Sequence, residues 1–129
     1  MVAKASVLAA FIEASRARYN FSGRPIAIGF SNGAVMAASM LLAPPGLLAG
    51  AILFRPLSPF THDLPHRLDS TPVRIVDGEK HSRRSLGDGL RLKEPLVRAG
   101  ASVTHRVLPA GHAITAKDKR IAREWLRAR

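Results

Sequence analysis

Cysteine is absent from the 129 residues. No disulfide framework and no thiolate-held metal can form, which fits a reducing cytoplasm, the expected location. Aromatic residues are scarce at 5% against a hydrophobic share of 47%, so a core must be assembled from Ala, Leu, Val and Ile. Bilayer-length apolar runs are missing too. Met1 to Ile12 comes nearest, but Lys4 and Glu13 bracket a stretch too short to span, and no cleavage pattern follows, so an amphipathic helix and no transmembrane segment are expected. Acidic side chains are few, nine against 20 Lys and Arg, for a formal charge of +11. That excess raises a polyanion partner as a question. The cations are spread from Arg16 and Arg18 through Arg67, Arg83 and Arg84 to Arg129, rather than gathered in one run with aromatics interleaved. The densest group, Lys117, Lys119, Arg120, Arg123, Arg127 and Arg129, accompanies an apolar stripe of Ile121, Trp125 and Leu126 at a helix end, where the dipole alone favours cations. A solvated surface is the expected reading and nucleic acid is disfavoured. A non-catalytic basic module binding nucleic acid or an anionic surface stands as the rival class of function.

The length fits one domain over residues 1–129. Ala5 to Tyr19 carries apolar residues at helical spacing, and Asn20 with Gly23 ends it. Pro25 to Phe30 reads as a buried strand, followed by a glycine-flanked serine and a helix that must stop at Pro44-Pro45. Leu48 to Phe54 is a second apolar run. Arg55 to Ser70 reads as a loop, and its His62, Asp63, His66 and Asp69 have no spacing that would hold a metal rigidly. Thr71-Pro72 opens a third strand through Val76. A helical pattern through Leu86 to Val97 contains Pro95, which predicts a kink, a late start or an early break. Ser102 to Leu108 is a fourth strand with His105 expected at its surface, and Ala116 to Ala128 a last helix. Strands alternating with helices predict an α/β fold, a parallel sheet of about four strands with flanking helices.

The chemistry sits in Gly29-Phe30-Ser31-Asn32-Gly33. A serine between strand and helix suits a nucleophile elbow, a sharp strained turn that lifts the hydroxyl above the end of the sheet. Gly29 and Gly33 are expected to supply the small neighbours, since a bulky side chain at either would keep strand and helix apart. The Asn32 amide opens the helix, where unpaired donors and the dipole can stabilise an oxyanion. Serine needs a base, and His112, after Pro109-Ala110-Gly111 at the end of the fourth strand, is the candidate. Both lie where open parallel sheets place their ligands, and in the chain order serine then histidine.

On Ile26 to Ala34, Leu47 to Leu53 with Arg55-Pro56, Thr71-Pro72-Val73, Gly78-Glu79, Arg98 to Ala101 and Gly111-His112, the chain resembles the C-terminal half of carboxylesterase- and phospholipase-type α/β-hydrolases. The resemblance covers nearly the whole chain. It implies that Ser31 is the nucleophile, His112 the general base and the Asn32 amide half of an oxyanion hole, acting on a small-molecule carboxylic ester through an acyl-enzyme, with no metal or organic cofactor. His81 stands where the resemblance puts the acid; Asp77 and Asp88 are the nearest substitutes, with Glu79 behind them. Asp77 otherwise reads as a strand-ending turn residue and Asp88 as a solvated carboxylate at a helix start. No His-Gly loop precedes Ser31, so one oxyanion donor is missing and weak or absent turnover is expected. The Pro25 to Phe30 strand would be an edge, open to pairing with a second copy.

Overall fold

The computed structural model describes residues 24–41, 48–57, 64, 67–68, 70–79 and 86–128. The helix expected over Ala5 to Tyr19, Pro44-Pro45, the loop residues His62, Asp63, His66 and Asp69, and His81 lie outside them, as does the side chain of Asp88. The elements are β1 (Ile26–Phe30), α1 (Asn32–Met40), β2 (Gly50–Phe54), β3 (Pro72–Gly78), α2 (Leu86–Arg98), β4 (Ser102–Leu108) and α3 (Ala116–Arg127). The strands form one four-stranded sheet in the order β1-β2-β3-β4. Every pairing is parallel, with Ile28 beside Ile52, Leu53 beside Ile75 and Ile75 beside His105. The expected α/β sheet with flanking helices is the fold found.

Side-chain alternation divides the core in two. Ala51, Leu53, Val73 and Ile75 face α1 and α2, packing on Ala34, Ala37, Ala38, Leu92 and Leu96. Ile52, Phe54, Val76 and Leu108 face α3, packing on Ile121 and Trp125. The alanines of α1 let that helix sit close to the sheet. Central β2 is buried at all five positions and accordingly reads as a continuous apolar run, whereas edge strand β4 is mostly exposed.

Pro95 neither delays nor breaks α2. It lies in the last turn, so its missing N–H and its ring disturb a helix that ends within one more turn at Arg98. Gly100, at φ 94, then reverses the chain, with Gly100 N–H donating to Val97 O at 2.9 Å and Ala101 N–H to Leu96 O at 3.0 Å. This left-handed cap satisfies the terminal carbonyls and turns the chain into β4. No described helix is long and apolar enough to cross a membrane.

Candidate active site

The ends of β1, β2 and β3 and the loop after β4 meet at one edge of the sheet. Ser31 joins β1 to α1 with φ 56 and ψ −115, a left-handed conformation that a side chain rarely adopts. Strain of this kind costs about 1–3 kcal/mol and is retained where the surroundings impose it. Here Ser31 N–H donates to Phe54 O at 2.9 Å, and Ser31 O accepts from Ala34 and Val35 at 3.0 and 3.1 Å, fastening the turn to β2 and to the first turn of α1. Ser31 occupies the N-cap position, yet its hydroxyl makes no capping bond to the helix. Asn32 and Gly33 open α1, where backbone amides have no intrahelical acceptor.

The two glycines differ. A Cβ on Gly29 would overlap the Gly33 carbonyl and lie 2.7 Å from Ala34 Cα, so close approach of α1 to β1 requires glycine there. Gly33 contributes only its backbone to that contact. A Cβ on Gly33 would meet nothing within 4 Å among the described residues, so the expectation that a side chain at Gly33 would hold strand and helix apart is corrected.

His112 belongs to the loop after β4, at the opposite side of the sheet from β1. Three strand spacings, about 14 Å, separate those strands, and the loop crosses them in turn. At β3, Gly78 allows the crossing, since a Cβ there would collide with the carbonyls of Ala110 and Gly111. At β2, Arg55 Nε donates to Gly111 O at 2.9 Å and Nη2 to Ala113 O at 3.4 Å. At β1, the His112 ring lies against Phe30, with centroids 4.8 Å apart and planes tilted by 47°. Phe30 immediately precedes Ser31, so serine and histidine share this edge.

Arg55 is fully buried, at 0% exposure, with φ 53. Nη1 and Nη2 donate to Asp118 Oδ1 and Oδ2 at 2.9 and 2.8 Å. Asp118 also closes a capping box on α3, accepting from Thr115 N–H and Oγ1–H, each at 2.8 Å. Burial pushes the Asp118 carboxyl up, but the hydrogen bonds from Arg55 and from the Thr115 backbone and hydroxyl outweigh it, and its pKa lies below the ordinary 3.8. Because the folded value is depressed, the unfolded chain takes up the proton first as pH falls. The contribution of Asp118 is therefore complete above pH 3.8 and is lost as pH drops through the folded value, at up to about 1.4 kcal/mol per pH unit. The stability gap between wild type and Asp118→Asn in urea should narrow below pH 3.8. A gap independent of pH would refute the assignment.

Neither acidic substitute on a described side chain is directed at His112. Asp77 lies within β3, on the face toward α2, and is not a turn residue. Its Oδ2 is 2.6 Å from His105 Nε2, with both side chains at most 10% exposed, so the surface expectation for His105 is corrected as well. The physical reason is the position of α2 over both residues at Gly89, where a Cβ would strike both Asp77 and His105. Glu79 lies exposed just past β3. The buried Arg55–Asp118 pair is the feature that residue patterns did not reveal. Thr115-Ala-Lys-Asp118 carries the spacing of a capping box, but nothing local marks Arg55 as its third member.

No family model matches the chain. MhqD of Bacillus subtilis (strain 168), a protein named as a hydrolase, is 34% identical over 127 residues, which span 97% of this chain and 63% of that protein. The crystal structure of the Bacillus cereus carboxylesterase superposes with a TM-score of 0.89 at 31% identity, covering 96% of this chain and 59% of that one. A Mesorhizobium loti carboxylesterase gives 0.87 and 30%, covering 98% and 61%. The chain thus spans about three-fifths of the length of these relatives, over their C-terminal part. Strand order and these superpositions give the chain a partial α/β-hydrolase fold, matching the C-terminal part of the two carboxylesterases.

Proposed function

We propose that this chain carries the nucleophile and base of a serine esterase. The observation that supports it best is the strained Ser31 turn, its hydroxyl unused by the helix it begins, with the His112 ring packed on the preceding residue. Ser31 Oγ attacks the carbonyl carbon of a small carboxylic ester while His112 accepts its proton. The Asn32 amide, at the positive end of α1, holds the developing oxyanion. Collapse of the tetrahedral intermediate expels the alcohol, protonated by His112, and leaves an acyl group on Ser31 that water removes. Commitment of Asp77 to His105 and a histidine at the expected acid position point to slow turnover on short acyl esters.

Covalent labelling by a fluorophosphonate tests this at low turnover. Wild type is expected to be modified at Ser31, and Ser31→Ala and Ser31→Gly are expected to lose all labelling. Ser31→Gly should also be more stable than Ser31→Ala by about 1 kcal/mol, because glycine tolerates φ 56. Labelling retained by Ser31→Ala, or absent from wild type, would refute the reading.

Among the described residues no strand pairs with the outer side of β1, and that side suits pairing with a second copy. Ile26, Ile28 and Phe30 project to one face of this edge strand, with Ile28 55% and Phe30 38% exposed. Beside it Ile28, Gly33, Met36 and Met40 line a cavity of about 320 Å³. A twofold axis through Ile28 would set like against like along the strand. Sedimentation should show a dimer that Ile28→Lys converts to monomer; a wild-type monomer at high concentration would exclude this pairing.

A further inference from the structure

We propose that Arg55 is a positioning residue for His112, one buried guanidinium that fastens the peptide carbonyls on both sides of the imidazole and ties them to the start of α3. The consequence for catalysis rests on the serine-esterase reading; the geometry does not. The guanidinium has five N–H donors, and each has a distinct acceptor. Nε serves Gly111 O, Nη1 serves Val76 O at 3.2 Å and Asp118 Oδ1, and Nη2 serves Ala113 O and Asp118 Oδ2. Gly111 and Ala113 flank His112, so the segment carrying the imidazole is held from beneath at both ends. Val76 belongs to β3 and Asp118 to α3, both rigid, so the loop inherits its position from the sheet and the helix rather than from its own backbone.

The need for such a clamp follows from topology. The loop crosses the ends of two strands before His112 reaches β1, and a chain spanning that distance without an anchor would place the imidazole over a range of positions. Arg55 is the residue at the middle of the crossing. Its φ of 53 carries backbone strain at the same sheet edge as Ser31, which also has a positive φ. Lysine has one nitrogen and three donors on a flexible stem, so it can replace the charge but not the planar fork. A residue acting only in packing would need neither.

The test compares wild type, Arg55→Lys, Asp118→Asn and Leu96→Ala, the last a core change in α2 remote from the loop. Two readouts are taken on each folded protein. One is the nuclear Overhauser cross-peaks between the Phe30 and His112 rings; the other is the fluorophosphonate labelling rate of Ser31 against pH. Arg55→Lys is expected to weaken the cross-peaks at least fivefold, and to lower the high-pH plateau of the labelling rate by about 100-fold, as for a displaced base. Asp118→Asn, which keeps the guanidinium but loosens its anchor, should show an intermediate loss and serves if Arg55→Lys does not fold. Leu96→Ala should retain both signals despite lower stability. Wild-type cross-peaks and rates in a folded Arg55→Lys or Asp118→Asn, or equal losses in Leu96→Ala, would overturn the assignment. Wild-type cross-peaks without any labelling of Ser31 would instead refute the esterase reading, and the cross-peak comparison would still decide the role of Arg55.

Discussion

Replacing Arg55 with methionine is expected to cost about 3–5 kcal/mol, because it leaves the Asp118 carboxylate in the interior without its bidentate partner. Both side chains are at 0% exposure, so solvent cannot take over the charge. Against the 5–15 kcal/mol typical of a domain, that loss is about a fifth or more of the total. Methionine keeps most of the volume and apolar length, and the deficit is therefore electrostatic and hydrogen-bonded rather than a cavity. The double variant Arg55→Met with Asp118→Leu removes both charges and should recover part of the loss, since replacing a buried ion pair by apolar residues of similar size is often neutral. Urea midpoints of the two single variants and the double variant give the coupling between the residues. Additive effects would mean that the pair does not act as a unit.

The elements that could be read from the sequence are those whose physics is local. The run Ala51-Ile52-Leu53-Phe54 is apolar at every position because β2 is covered on both faces, and no other placement would bury it. Ser31 could be recognised because its turn needs a small residue at Gly29 and a helix directly after. The rest depends on partners distant in the chain. Arginine ordinarily marks a surface, and Arg55 is internal only because Asp118, 63 positions later, meets its fork. One of the 20 basic side chains that suggested an anionic partner thus serves the core. The burial of His105 likewise depends on a distant partner. Alternation along β4 says that one face is buried but not which one, and the choice was made by Asp77 from the neighbouring strand. The order of Ser31 and His112 along the chain is visible in the sequence, whereas the route of the His112 loop across Gly78 and Arg55 to Phe30 depends on strand order and on the absence of one Cβ.

Gly29→Ala should separate sharply from Gly33→Ala, although both glycines belong to the same motif. The added methyl at Gly29 would lie 2.5 Å from the Gly33 carbonyl carbon and 2.7 Å from Ala34 Cα. These are backbone atoms, which cannot rotate aside, so the first turn of α1 must move off the strand. Overpacking of this kind costs about 1–3 kcal/mol, and more where the backbone itself must shift. At Gly33 the methyl meets open space among the described residues, and alanine within a helix gains up to about 1 kcal/mol over glycine. The expected difference between the two variants is thus about 1–4 kcal/mol in urea unfolding, with Gly33→Ala at or slightly above wild type. Equal stabilities would mean that β1 and α1 do not approach as closely as described. The same displacement reaches Ser31, because its φ of 56 is imposed between the bond to Phe54 on one side and the carbonyl contacts with α1 on the other. Moving α1 relaxes one of those constraints, so Gly29→Ala should lose labelling at Ser31 in proportion to its loss of stability.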